Sequence, residues 1–158
     1  MRKAYLRFAK VISPLMIAGL RAYSLVTRRP RARVVLMNER AEVLLMKGVI
    51  AHNDHWTLPG GGVGFRESSL HAALREVHEE TGIRLATGDL TFVRRVEKPE
   101  FGLPFAADVF TGRCAAGALP DTIHNPYEVA AIEWFPVASL PPDTGRLARK
   151  LVREVSAD

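Results

Sequence analysis

Between Gly61 and Ile83 the chain reads GGVGFRESSLHAALREVHEETGI, and its second half crowds three carboxylates together. A helix turns by about 100° per residue, so Glu76, Glu79 and Glu80 fall within a sector of about 100° as i, i+3 and i+4 neighbours. Like charges at that spacing repel, and a chain that keeps them calls for a cation. The opposite sector carries Leu70, Leu74, Val77 and Thr81, a largely apolar stripe suited to packing on a sheet. Ser68 or Ser69 supplies a start and Gly82 a left-handed stop. Arg75 precedes Glu79 by four residues and is placed to hold its carboxylate. A solvated acidic face would alternate with lysines; this one does not, and it follows the glycine-rich turn Pro59-Gly60-Gly61-Gly62. These features constrain the fold to a loop–helix unit that collects negative charge beside a sheet.

The spacing continues into a longer pattern. Gly61 is followed after five residues by Glu67, and after seven more by Arg75-Glu76-Val77-His78-Glu79-Glu80-Thr81-Gly82-Ile83. Every defined position of this pattern resembles the signature of the Nudix hydrolase superfamily. The likeness extends more loosely over about residues 31–155, through Trp56 to Gly61 and through Glu133-Trp134-Phe135. It implies an α/β fold of the α+β type, a mixed sheet sandwiched between helices, here with an extra N-terminal helical arm. It also implies Mg2+ or Mn2+ as cofactor. The activity implied is hydrolysis of a diphosphate bond in a nucleoside diphosphate linked to another moiety, such as a nucleotide sugar, ADP-ribose or a nucleoside triphosphate. The competing reading is a Nudix-fold nucleotide-binding or regulatory module without turnover; such modules commonly lack a signature glutamate, and none is missing here.

The chemistry accounts for the residue types. A diphosphate is anionic and repels both hydroxide and carboxylates. Hard divalent cations with oxygen ligands screen that charge and acidify a bound water, whereas thiolates or imidazoles would favour softer metals. Glu76, Glu79 and Glu80 are the expected metal ligands, with the Gly61 carbonyl added by the resemblance. Glu67 and Arg75 are expected behind them, holding loop and ligands in place. Four neighbouring carboxylates without metal are electrostatically costly, so raised pKa values or looser order are expected there. The catalytic base is Glu79, Glu80 or Glu128, the last being a loop glutamate six residues before Trp134 in a region where some superfamily members place a metal ligand or base. Arg66, His55 and Phe101 are candidate substrate contacts, and His52 is a second histidine beside the expected cleft. His71 and His78 are read as structural or surface residues and Trp56 as core. Many members of the superfamily it resembles have an acidic residue where Gly64 stands and a glycine where Arg66 stands, a departure that implies the loss of a supplementary ligand and an added cation near the phosphate. ADP-ribose hydrolases of the superfamily often carry a proline some fifteen residues after the signature, and Pro99, sixteen residues after Ile83, resembles it.

Charge divides the chain. Nine of the 22 basic residues and none of the 17 acidic ones lie in 1–33, so the remainder is net −4 although the whole is +5. The basic pI near 9.8 therefore belongs to an arm, and no specific nucleic-acid partner is expected. Residues 1–30 read as two short helices, with Tyr5, Phe8, Ile12, Leu15, Met16, Leu20 and Tyr23 mostly at three- and four-residue steps and Ser13-Pro14 as a start. Three roles stay open for this arm: packing on the domain or on a homodimer mate, lying on a membrane surface through residues 1–29, or serving as a targeting segment. Residues 31–158 form the expected catalytic domain, acting on a small-molecule nucleotide derivative in the cytoplasm. The single cysteine, Cys114, excludes an internal disulfide and reads as a packed strand residue.

Strands are expected at Arg33–Met37 and Glu42–Lys47, joined by the turn Asn38-Glu39-Arg40, with a short strand at Trp56–Leu58. Further strands are expected near Leu90–Glu97, Phe105–Cys114 and Val129–Phe135. Asp143 and Thr144 are placed to start a closing helix with Leu147, Leu151 and Val155 on one face.

Overall fold

The computed structural model describes residues 30–49, 55–97, 106–119, 123, 125–126 and 128–157. The expectations for the arm, His52, Pro99 and Phe101 lie outside these residues. Strands β1 (Arg31–Met37) and β2 (Glu42–Gly48) form the hairpin read from the sequence. The buried Asn38 makes its turn: its side-chain oxygen accepts from the Arg40 and Glu42 backbone N–H groups at 2.9 and 3.1 Å. Helix α1 (Ser69–Thr81) follows, then β3 (Leu90–Val96), β4 (Ala107–Arg113), β5 (Val129–Pro136) and helix α2 (Arg146–Ser156). The five strands order as β3-β4-β1-β2-β5, with β1 and β4 parallel and the other neighbours antiparallel. This is the mixed sheet expected.

Alternation along β1 divides the core between the two faces of the sheet. Ala32, Val34 and Leu36 join Leu44, Phe110, Ala72, Ala73 and Val77 beneath α1. Val35 and Met37 join Val43, Leu45, Trp56, Ala148, Leu151 and Val152 beneath α2. Each fully buried valine or leucine contributes about 1.5–3 kcal/mol, so both helices are held mainly by their apolar faces.

Three expectations are corrected. Helix α1 buries Ala72, Ala73, Val77 and Thr81, while Leu70 and Leu74 flank the contact half-buried; the small alanines let the helix lie close to the strands. Trp56–Leu58 is not a strand but part of a wedge. Strands β1 and β2 pair only at Met37–Val43 beside their turn, and segment 57–62 enters between their diverging ends. There Ala32 N–H donates to Gly61 O at 2.9 Å and Val34 N–H to Pro59 O at 3.0 Å, while Met46 and Thr57 exchange two bonds of 2.9 Å. Finally, α2 begins at Arg146 after Gly145 without a side-chain cap. Asp143 instead pairs with Lys47 at 2.6 Å, and Thr144 is buried against Trp56 in an isolated bridge. Its inner face carries Leu147, Leu151 and Val155 as read, with Ala148 and Val152 added.

Candidate active site

The wedge delivers Pro59–Gly62 to the end of the sheet where β1 begins, and α1 runs beside it. Ser68 caps α1 by accepting from His71 N–H at 3.2 Å, and Gly82 closes it in the left-handed region at φ 78°. Ser69 does not cap; its hydroxyl donates to the buried Asp108 of β4, whose carboxylate also takes two bonds from Arg95 at 2.6 and 3.0 Å. The arginine beside Asp108 holds its carboxyl below the usual range, with the Ser69 bond acting in the same direction against desolvation. The first turn of the helix is thereby tied to the sheet.

Arg75 organises the acidic face. Nε and Nη2 donate to the two oxygens of Glu67 at 2.9 and 3.0 Å. Nη1 donates to Glu76 at 2.8 Å and Glu79 at 3.0 Å, and Nη2 also to the Gly62 carbonyl at 3.0 Å. These five bonds match the five N–H groups of a guanidinium. Glu67 in turn accepts from Gly64 N–H at 2.6 Å, and the Arg75 bond keeps its carboxyl below the ordinary value. Arg75 and Glu67 thus brace the loop beside the helix glutamates.

The three helix glutamates share a sector yet differ in depth. Glu79 is 49% exposed. Glu76 lies over Gly61, and a Cβ on that glycine would fall within its carboxylate. Glu80 is 9% exposed and accepts from Gly60 N–H at 2.7 Å. Burial pushes Glu76 up, against the pull of Arg75. Burial also raises Glu80 to about 7, opposed by the Gly60 N–H bond and by Arg33. The expected elevation is therefore found at these two residues, with desolvation as its main cause and carboxylate repulsion a lesser one.

Among the described residues, no three acid, histidine or cysteine side chains already stand in metal-holding geometry. Glu76 and Glu79 engage one guanidinium nitrogen, while Glu80 turns to Gly60. The donor set nevertheless suits a hard divalent cation: every candidate is a carboxylate or carbonyl oxygen, and the missing Cβ of Gly61 leaves the room Glu76 fills. The Gly61 carbonyl already accepts one backbone bond, from Ala32, which leaves its second lone pair.

Glu128 is exposed and precedes β5, which starts opposite Gly48 at the same sheet end as the Gly62–Arg31 bridge. Among the described residues no hydrogen bond or ion pair joins it to the helix glutamates. Arg66 stands at φ 60° on the exposed tip of the loop, its guanidinium 5.2 Å from the ring centre of Phe65, itself 75% exposed. His55 is exposed and lies near Asp143, next to Trp56 and so in the α2 layer. Trp56 is core: its ring meets Phe135 edge-on at 4.6 Å and carries Lys47 at 5.0 Å. His71 is on the surface, and half-buried Cys114 packs beside the α1 core, burial pushing its thiol up.

Two partners of this site escaped the sequence reading. Arg33, 5% exposed, donates to the Gly60 carbonyl, and Asp108 anchors Ser69. Asp108 is a lone charge inside an apolar run, which is the signal that could have found it, whereas Arg33 is masked as the last of the run of arginines before the apolar stretch of β1.

The geometry agrees with known proteins. A family model for the NUDIX domain matches residues 27–155. An RNA pyrophosphohydrolase of Ruthia magnifica subsp. Calyptogena magnifica is 42% identical over 55 residues, which cover 35% of this chain and only 30% of that protein's length. Among solved structures, a MutT NUDIX hydrolase from Burkholderia pseudomallei superposes with a TM-score of 0.69 at 27% identity, covering 80% of this chain and 97% of the other. A C. elegans Ap4A hydrolase superposes at 0.63 with 24% identity, covering 80% and 96%, a likeness of fold.

Proposed function

This chain belongs to the NUDIX domain family, and from that premise we propose that it hydrolyses a diphosphate bond in a nucleoside diphosphate derivative. The observation that carries this reading is the Arg75 network, which gathers Glu67, Glu76 and Glu79 around the Gly61–Gly62 backbone with Glu80 behind them. Glu76, Glu79 and Glu80 would hold Mg2+ or Mn2+, with the Gly61 carbonyl as a further ligand. When bound, that cation supplies charge neutralisation at the diphosphate and a more acidic water.

The remaining work falls to the chain's own groups. Arg75 fixes Glu76 and Glu79 in direction, and a planar fork with five donors does this where a lysine could not. Gly60 N–H holds Glu80 on the inner side of the helix. A base must meet the attacking water; Glu79 and Glu128 are open to solvent and suit that role, whereas Glu80 is sealed against Gly60 and suits holding. Arg66 at the loop tip is the side chain offered to a substrate phosphate. The likeness to an RNA pyrophosphohydrolase and an Ap4A hydrolase adds pyrophosphate-bearing RNA and dinucleoside polyphosphates to the candidate substrates.

Release of phosphate or nucleotide is to be measured with Mg2+, then with EDTA, over nucleotide sugars, ADP-ribose, nucleoside triphosphates, diadenosine tetraphosphate and pyrophosphate-bearing RNA. Mg2+-dependent cleavage of one class well above the others supports the reading and names the substrate. Binding without turnover across the whole panel would favour the binding-module alternative.

A further inference from the structure

Arg33 is out of character for its strand. It is 5% exposed, and its neighbours Ala32, Val34 and Val35 are wholly buried. An arginine stays charged at any ordinary pH, and a buried charge is costly unless it is met by partners. Its Nη1 donates to the Gly60 carbonyl and lies 3.4 Å from the Ala32 carbonyl. On the other side of the same glycine, Gly60 N–H donates to Glu80 Oε2 at 2.7 Å. Gly60 itself stands at φ 134°, where side chains are rarely accommodated, and a Cβ there would strike the Ala32 carbonyl. Both peptide units meeting at this glycine are therefore held from outside, one by a cation and the other by a carboxylate.

We propose that Arg33 is a positioning residue for Glu80, clamping the Gly60 carbonyl so that the Gly60 N–H points at the Glu80 carboxylate. The inference rests on the reading of Glu80 as a divalent-cation ligand. Arg33 acts through the Gly60 backbone, in addition to the favourable effect of its charge on the Glu80 carboxylate. Arg33→Met removes charge and fork at similar length, and Arg33→Lys keeps the charge alone.

The test uses the full chain. Mn2+ affinity is measured without substrate by the electron paramagnetic resonance of free Mn2+, and Gly60 amide exchange is followed by NMR. R33M is expected to bind Mn2+ about 10–100-fold more weakly, the range for residues that orient metal ligands, and to lose protection at the Gly60 amide. R33K should recover part of both. Turnover of R33M should return towards wild type in excess Mn2+ with substrate KM unchanged, a rescue that mere destabilisation would not give. If R33M fails to fold, R33K and R33Q carry the same measurements. Wild-type Mn2+ affinity in a folded R33M, or weaker affinity with the Gly60 amide still protected, overturns the clamp. Absence of Mn2+ binding by the wild-type protein overturns the cation-site reading itself and this inference with it.

Discussion

Burial of Glu80 gives the metal-free protein a pH dependence of defined sign. Its carboxyl is raised from 4.5 to about 7 because desolvation outweighs the Gly60 N–H bond and the Arg33 charge. A tenfold change in proton affinity is worth about 1.4 kcal/mol, so ionising this residue in the folded state costs about 3 kcal/mol relative to the unfolded chain. Between pH 4.5 and 7 the unfolded state releases the proton while the folded state keeps it, so stability falls as pH rises through this window. Glu80→Gln removes the titration and retains an oxygen to accept from Gly60. Urea unfolding in EDTA at intervals from pH 4.5 to 8 should show the wild type losing about 3 kcal/mol more than E80Q over that range. Comparing the two curves removes contributions common to both: Glu76, which acts in the same direction, and Glu67 and Asp108, whose lowered values act at lower pH and oppositely. Parallel curves for the two proteins would refute the claim that Glu80 is held in a desolvated site.

Glu79→Gln should reduce turnover by about 100-fold at limiting Mg2+, the upper end of losses from changes around a metal site, with an unchanged circular dichroism spectrum; near wild-type rates would remove Glu79 from the ligand set. Gly60→Ala should destabilise by on the order of 3 kcal/mol through backbone strain and the clash with Ala32, whereas Gly62→Ala, which meets nothing within 4 Å, should leave the urea midpoint nearly unchanged. Deleting residues 1–29 should preserve the specific rate of hydrolysis while altering oligomeric mass or binding to anionic vesicles, the latter weakening with salt because exposed charges are screened over about 8 Å. A folded truncation without turnover would instead make the arm part of the substrate pocket.

The elements easiest to read were those whose signal is local. Carboxylate spacing and the Ser68 and Gly82 ends define α1 within the chain itself, and apolar runs with an Asn38 turn define β1 and β2. The face that α1 buries was harder, because Ala72 and Ala73 carry little hydrophobic signal while Leu70 and Leu74 carry much; close approach to the sheet favours the smaller pair. The wedge at 57–62 was illegible for another reason. Its pairing is made by isolated bridges, Thr57 to Met46 and Gly62 to Arg31, that are distant in sequence, and it leaves no periodicity of its own.

In the candidate site, spacing fixes direction around the helix but says nothing about depth. Glu76, Glu79 and Glu80 occupy one sector, so mutual repulsion was the natural expectation from their sequence positions. Depth then separates them. Glu79 faces water beside Arg75, Glu76 lies against Gly61, and Glu80 is enclosed with Gly60. That gradient comes from the wedge packed against α1, so the feature least visible in the sequence decides which glutamates are desolvated. The same wedge explains a buried arginine in β1: once Gly60 is pressed between the strands, its carbonyl and N–H must each be met, and Arg33 and Glu80 meet them from opposite sides. The charge that holds this glycine-rich turn therefore comes from β1, the first strand of the hairpin, and not from β2, the strand that precedes the turn in the chain.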